Sequence, residues 1–213
     1  MDPSPPNQPQ AACCYGLPAG TNYLIFTQKS HDYETGILGY QIAVGSMPGR
    51  NDLVGWPSDM SFGSGDFGPA NSIILPNFRL PQGTTCYIHV RAVNRSGMNS
   101  AVCITGPYTI DNTPPVTPIV VPDFRMGHPG YLLLTYSNIS DPETGVEYIE
   151  YAIGNSNGST DITSWHNEGL VSSTQVFYHL LGLIHGHTYY IGVRTTNGAG
   201  LVSQEFWTSI LYP

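Results

Sequence analysis

The chain has little charge and almost no lysine. Charged residues make up 10% of its 213 residues, against roughly 25% in typical soluble domains. Lys29 is the only lysine, and the net charge is −8. Nucleic-acid binding requires clustered Lys and Arg side chains that displace counterions from phosphates, and anionic membrane surfaces attract the same side chains. The composition therefore argues against nucleic-acid partners and against anionic membranes.

Long apolar segments are also missing. The sequence contains no run of about 18 apolar residues, so it predicts no membrane insertion. The first ten residues, MDPSPPNQPQ, lack the basic and apolar parts of a signal peptide and hold four prolines. We expect residues 1–10 to form a flexible, proline-rich arm.

Motifs of catalysis are missing as well. The chain has no P-loop and no H-E-x-x-H motif. The glycine-rich segment GSGDFG at 63–68 precedes no predicted helix, so it lacks the helix dipole of a phosphate-binding loop. We interpret it as a loop insertion and a candidate contact surface. The sequence thus predicts a protein that is not an enzyme, with no catalytic residue, no cofactor and no bound metal.

The chain does contain an internal repeat of about a hundred residues. DYETGILGYQIAVG at 32–45 matches DPETGVEYIEYAIG at 141–154, and LPQGTTCYIHVRAVNRSG at 80–97 matches LIHGHTYYIGVRTTNGAG at 183–200. The boundary lies in DNTPP at 111–115, because its two prolines exclude a central strand. We therefore expect an arm at 1–10, domain 1 at 11–112 and domain 2 at 113–213.

Strand patterns recur at matching places in the two halves. Apolar residues alternate with polar ones over short segments. Gly, Pro and Asn end these segments at intervals of about 8–12 residues along the chain. No segment has apolar residues at a sustained period of 3.6, so we expect little helix. The sequence predicts an all-β chain of two β-sandwiches, with strands at 23–27, 39–44, 72–75, 86–93, 101–105, 131–136, 146–153, 175–180, 189–196 and 205–211.

Residues 80–97 and 183–200 resemble a segment of the fibronectin type III family. The segment in domain 2 carries the family pattern of a leucine, a glycine, an aromatic residue, alternating apolar residues, an asparagine and a glycine, at Leu183, Gly186, Tyr189, Ile191, Val193, Asn197 and Gly200. The D-x-E-T-G block and the T-P-P boundary also occur in surface proteins built from arrays of such modules. The resemblance covers nearly all of the chain after residue 11 and implies two tandem fibronectin type III-like domains.

The resemblance places Tyr189 at the tyrosine corner, where the hydroxyl of a buried ring bonds to nearby backbone. Domain 1 has Cys86 instead, which we expect to be buried at this position, so another contact should hold that edge. The four cysteines, Cys13, Cys14, Cys86 and Cys103, all lie in domain 1 and allow three connectivities. A disulfide from the first strand to the last two would compensate for the missing tyrosine, and the alternative is buried free thiols. Zinc is disfavoured because no C-x-x-C pair is present.

Three further patterns have both a chemical and a structural interpretation. The carboxylates of Asp32 and Glu34, repeated at Asp141 and Glu143, could bind calcium, but we favour an Asx-type turn closed by glycine. His185 and His187 form an H-x-H pair without a third ligand nearby. The matching Trp56 and Trp165 could stack on a sugar, although core or edge packing is the favoured interpretation.

Asn94, Asn138 and Asn157 begin glycosylation sequons. We expect the chain to be a non-catalytic structural or adhesive module of an extracellular surface, filament or virion, acting through protein contacts and self-association. The alternative is an accessory carbohydrate-binding or spacer module of a secreted carbohydrate-active enzyme, with a glycan as partner. The fold hosts many unrelated roles, so it does not decide between them.

Overall fold

A computed structural model describes residues 4–13, 16–17, 22–58, 62–63, 72–75, 79–124, 131–169, 175–179 and 183–213. These residues form strands, turns and loops, and no helix occurs among them. The chain divides into two compact units, Met1–Asn112 and Thr113–Pro213. The predicted all-β class is confirmed.

Unit 1 is a sandwich of two sheets. One sheet has the order β1-β3-β6 and the other β2-β8-β7-β4-β5, and all pairs are antiparallel except β2 with β8. The strands are β1 (Gln10–Cys13), β2 (Gly16–Leu17), β3 (Asn22–Gln28), β4 (Ile37–Gly45), β5 (Phe62–Gly63), β6 (Ser72–Leu75), β7 (Thr85–Asn94) and β8 (Cys103–Ile110).

Unit 2 repeats this arrangement. Its sheets have the orders β13-β10-β9 and β12-β11-β14-β15. The strands are β9 (Ile119–Phe124), β10 (Tyr131–Ser137), β11 (Val146–Gly154), β12 (Thr163–Asn167), β13 (Gln175–His179), β14 (Thr188–Asn197) and β15 (Phe206–Leu211). The strand predicted at 101–105 begins two residues later than expected, at Cys103, and runs on to Ile110.

Each unit has a core of its own, built by alternation along its central strands. In β14 the side chains of Tyr189, Ile191 and Val193 point inward and are buried. In β7 the equivalent inward positions are Cys86, Ile88 and Val90. Because successive side chains of a strand point to opposite faces, the residues between them form the outer face of each sheet.

The N-terminal segment is bound to unit 1. The backbone N–H of Asn7 donates to the carbonyl of His31 at 3.2 Å, and the Ser30 hydroxyl donates to the Asn7 carbonyl at 2.7 Å. The side chain of Gln8 donates to the Val102 carbonyl at 2.7 Å. The flexible arm expected at 1–10 is therefore wrong for residues 4–10, because polar side chains between the prolines anchor this segment.

The tyrosine corner is present in unit 2 and is replaced in unit 1. The Tyr189 hydroxyl accepts a hydrogen bond from the backbone N–H of Ile184 at 2.8 Å. In unit 1 both partners are lost together, because Cys86 stands for the tyrosine and Pro81, which has no N–H, stands for Ile184.

A glutamine holds this edge of unit 1 instead. The Gln82 side chain donates to Asp111 Oδ1 at 3.0 Å and accepts from the backbone N–H of Asn112 at 2.8 Å. Both partners follow the end of β8, so Gln82 ties the loop before β7 to that end. The expectation that another contact replaces the corner bond is confirmed.

Candidate functional site

The D-x-E-T-G block forms an Asx-type turn in both units. Asp141 Oδ1 accepts hydrogen bonds from the backbone N–H groups of Glu143, Thr144 and Gly145 at 3.2, 2.9 and 3.1 Å. Gly145 closes the turn with a φ of +71°. Asp32 accepts from Thr35 and Gly36 in the same way. The favoured interpretation of the block as a turn is confirmed.

A buried asparagine completes this arrangement. Asn197 is fully buried, and its side-chain nitrogen donates to Asp141 Oδ2 at 3.1 Å and to the Thr113 carbonyl at 3.0 Å. Its Oδ1 accepts from the N–H groups of Ala199 and Leu201 at 3.1 and 2.8 Å. We call this pairing of Asp141 with Asn197 the Asp–Asn clasp of unit 2.

Unit 1 has the same clasp between Asp32 and Asn94, with an Nδ2–Oδ2 distance of 3.1 Å. The hydrogen bond from the Thr35 N–H, followed by that from Asn94, holds the pKa of Asp32 below its usual range. Asn94 is fully buried, and its side-chain nitrogen also donates to the Ser4 carbonyl at 3.3 Å. A glycan on Asn94 is incompatible with this fold, so glycosylation at the first of the three sequons is excluded. Asn138 and Asn157 are exposed.

The matching tryptophans lie on the outer faces and stack with arginines. The Arg91 guanidinium lies 4.2 Å from the centroid of the Trp56 ring, and Arg194 lies 4.1 Å from that of Trp165. Both rings are half-buried. A guanidinium over an indole ring gains a cation–π attraction. The favoured interpretation of packing at these positions agrees with this geometry, although the sequence alone did not indicate the arginines.

The stack of unit 2 is more elaborate than that of unit 1. Arg194 Nε donates to Glu150 Oε2 at 2.7 Å, and its Nη1 lies 3.6 Å from Glu205 Oε1. The Trp207 ring meets Trp165 edge-on, with centroids 5.8 Å apart, and Trp207 Nε1 donates to Glu205 Oε2 at 2.9 Å. In unit 1, Arg91 Nε donates to the neutral Gln41 at 2.9 Å.

A glycine makes room for Trp207. A Cβ atom on Gly192 would lie 2.5 to 2.7 Å from three atoms of the Trp207 ring. The ring therefore lies directly against the backbone of β14, and the carboxylate of Glu205 fixes its orientation. We call Trp165, Trp207, Arg194, Glu150 and Glu205 the aromatic cluster of unit 2. The sequence signal for this cluster was the tryptophan repeated at Trp56 and Trp165. Trp207 is not repeated, since the matching position in unit 1 is Ile104, which faces His89.

Cys86 and Cys103 are free thiols. The register pairs Cys86 with Tyr108 and Val90 with Cys103, which sets the two cysteines about 13 Å apart along the sheet, beyond disulfide reach. Because both thiols are free, neither is joined to the first strand by the disulfide that the sequence suggested. Cys14 and the side chain of Cys13 lie outside the described residues. Burial raises the pKa of Cys86 to about 11, and the prediction that it is buried is confirmed.

The two histidines of the H-x-H pair face different partners. His187 Nε2 lies 3.0 Å from Asn155 Oδ1, and the His187 ring contacts that of Tyr189. His185 instead faces the Tyr212 ring, with centroids 6.3 Å apart. The candidate contact loop at 63–68 lies outside the described residues except for Gly63. No described segment is a helix long and apolar enough to cross a bilayer.

Comparison with known proteins identifies the fold. No protein-family profile matches the sequence, and no curated protein matches it at a significant level. Among solved structures, the chicken CNTN1 FN1–FN3 domains are 15% identical to it with a TM-score of 0.59, over 98% of this chain and 68% of that chain. Together with the strand order, this likeness shows that the fold is fibronectin type III-like.

Two further structures match with lower scores. The fibronectin(III)-like modules of CbhA from Clostridium thermocellum are 10% identical, with a TM-score of 0.47, over 99% of this chain and 90% of that chain. The chicken interferon gamma receptor alpha chain is 13% identical, with a TM-score of 0.37, over 99% of this chain and 98% of that chain.

Proposed function

We propose that this chain is a non-catalytic structural or adhesive module of an extracellular surface, filament or virion assembly, and that it acts through protein–protein contacts. The duplicated scaffold is the observation that carries the proposal. The residues with the strongest potential for chemistry, Asp32 and Asp141, are engaged by backbone N–H groups and by buried asparagines. Groups that hold a fold together in this way are not poised for catalysis.

An edge strand of unit 2 supports self-association. In the described part of the chain, β15 is the last strand of its sheet, and Leu211 on it is 60% exposed. An edge strand offers unpaired backbone groups to a strand of another chain, and apolar side chains favour that pairing. In unit 1 the equivalent strand β8 has a partner on that side, the short β2.

The test is the mass of the whole chain in solution, by light scattering from low to high micromolar concentration. We expect a mass above the 23.1 kDa of one chain. Leu211→Lys should return the protein to that mass, because a lysine on an edge strand opposes pairing. Ile184→Lys is the matched control, since Ile184 is 65% exposed and lies outside the strands. If the measured mass is that of one chain at every concentration, only a spacer role remains.

The aromatic cluster favours a second candidate function, that of an accessory carbohydrate-binding module. Its two half-buried indole rings lie on one outer face, and Glu205 and Arg194 place hydrogen-bonding groups beside them. Aromatic rings flanked by a few polar groups are typical of ligand sites. Glycan-array binding that Trp207→Ala abolishes and Trp56→Ala leaves intact would support this function. If the whole chain binds no glycan, this second function is excluded.

A further inference from the structure

His89 of unit 1 is buried beneath a turn. The side chain lies on the outer face of the sheet, yet the residue is only 2% exposed. The turn at 46–52 folds back over it, since a Cβ atom on Gly45 would lie 1.6 Å from the Arg50 carbonyl oxygen and 3.0 Å from His89 Cε1. The backbone N–H of Gly49 donates to His89 Nε2 at 2.9 Å.

This hydrogen bond fixes the protonation state of the ring. Nε2 is the acceptor, so in the neutral imidazole the proton is on Nδ1. No described residue pairs with that buried Nδ1 atom. A second proton on the ring has to go to Nε2, where it would point at the N–H of Gly49. Two donors then face each other, and the bond between turn and strand is lost.

The charges around His89 are few. In the turn they are Arg50 and Asp52, and along β7 the neighbours on the same face are Tyr87 and Arg91. The facing positions of β4 and β8, Ala43 and Ile104, carry no charge. Burial lowers the pKa of His89, and the Asp52 carboxylate offsets part of that effect. Asp52 itself stays ionised in weak acid, because the N–H of Ser46 holds its pKa below the usual range.

We propose that His89 makes the turn at 46–52 acid-sensitive, so that protonation of the ring releases the turn from the sheet. The sign follows from linkage: a histidine with a lowered pKa in the folded state loses its stabilising effect as the pH falls below about 6.5. The change is local, because the bridge between Val44 and Val54 holds the base of the turn. Release alters the surface around Met47, which is 50% exposed.

Unit 2 provides an internal control. Its equivalent turn is held in the same way, with the N–H of Asn155 donating to Asp161 at 2.9 Å, as that of Ser46 donates to Asp52 at 2.8 Å. The position of His89 is occupied there by Gly192. The two turns therefore share their geometry. The half-buried His187 ring contacts the Asn155 side chain of the second turn, but among the described residues only the first turn donates a backbone N–H to a buried ring beneath it.

The experiment is a pH titration of the ¹⁵N-labelled whole chain by NMR, from about pH 7.5 to about pH 5. We expect the amide of Gly49 to shift and its protection from exchange to fall about tenfold or more beyond the intrinsic pH effect. Gly158, its counterpart in unit 2, should not change. In His89→Gln, whose neutral amide oxygen can accept from Gly49 at every pH, the transition should vanish.

An unchanged Gly49 amide in the wild-type chain overturns the proposal, as does the same transition in His89→Gln. The ring protons of His89 give a second measurement that needs no variant. Their midpoint should lie below the ordinary histidine value of about 6.5, and it should coincide with the change at Gly49. A midpoint at the ordinary histidine value without change at Gly49 likewise overturns the proposal.

Discussion

At the scale of single residues, the buried asparagines show how each unit keeps a polar group in its interior. Asn94 and Asn197 are fully buried, and each uses both its side-chain oxygen and its side-chain nitrogen in hydrogen bonds. A buried polar group that is fully paired costs little, whereas a partly paired one is strongly destabilising. The asparagine in the repeated block is thus a structural residue.

Removal of the unit 2 clasp should be costly. Asn197→Ala removes the donor to Asp141 Oδ2 and the acceptor of the N–H groups of Ala199 and Leu201. Each unsatisfied buried group costs about 1–3 kcal/mol, so we expect a loss of at least about 2 kcal/mol in the free energy of unfolding, measured with chemical denaturant. Asn157→Ala, at an exposed turn position, is the control and should change little. Equal effects of both variants would refute the role of the clasp.

Cys86 should be unreactive in the folded protein. The thiolate is the reactive form, and burial raises the pKa of Cys86 to about 11. We expect an alkylating reagent near neutral pH to leave Cys86 unmodified in the native chain and to modify it after denaturation, as read by peptide mass spectrometry. Cys103 is half-buried and provides the comparison within the same chain. Modification of both at the same native rate contradicts the prediction.

At the scale of elements, β14 and β15 fit together because a side chain is missing from one of them. Gly192 has no Cβ, and the Trp207 ring occupies that space. Glycine normally weakens a strand, but here it allows close approach of an aromatic ring. The same position in β7 carries His89, which packs under a turn instead. Differences at this position and at the facing one, where Trp207 lies opposite Gly192 and Ile104 opposite His89, thus give two different outer faces.

Gly192→Ala should displace the Trp207 ring. The new methyl group would overlap the ring, and overpacking of this kind costs typically about 1–3 kcal/mol. We expect lower stability and a red shift of tryptophan fluorescence. In a Trp207→Ala background the same Gly192→Ala change should cost almost nothing, because no ring remains to clash. A penalty that is the same in both backgrounds would show that the ring is not its cause.

At the scale of the whole molecule, each unit has a separate core and separate clasps. The core of unit 2 is formed by residues of Thr113–Pro213 alone, and its clasp uses the Thr113 carbonyl as an acceptor. A domain of about 100 residues with its own core can fold alone. The boundary at residue 113 is therefore a suitable place for division.

We expect Thr113–Pro213 to fold as an isolated chain. Far-UV circular dichroism should show strand without helix, and its amide NMR spectrum should overlap with that of unit 2 in the whole chain. A version that begins at Val116 provides the control, because it lacks the Thr113 carbonyl and should be less stable. An isolated unit 2 that is unfolded would contradict the assignment of two self-sufficient cores.

The sequence by itself determined the repeat, the strand positions and the D-x-E-T-G turn. Such features depend on alternation and on glycine and proline chemistry, which act over a few residues. It also located the missing corner at Cys86, because the two copies can be compared position by position. The boundaries of β8 were less well predicted, since exposed residues such as Ile104 break the alternation.

Only the tertiary structure decided which distant residues meet. The pairing of Arg194 with Trp165 and Glu150 joins β14 to two other strands of its sheet, and no local pattern encodes it. The same holds for His89 beneath the turn and for Gln82 at the end of β8. The prolines of the N-terminal segment predicted a flexible arm. Hydrogen bonds of Asn7 and Gln8 to residues far along the chain hold the segment in place instead. Long-range contacts of this kind depend on how the strands pack, and strand packing is a property of the folded molecule.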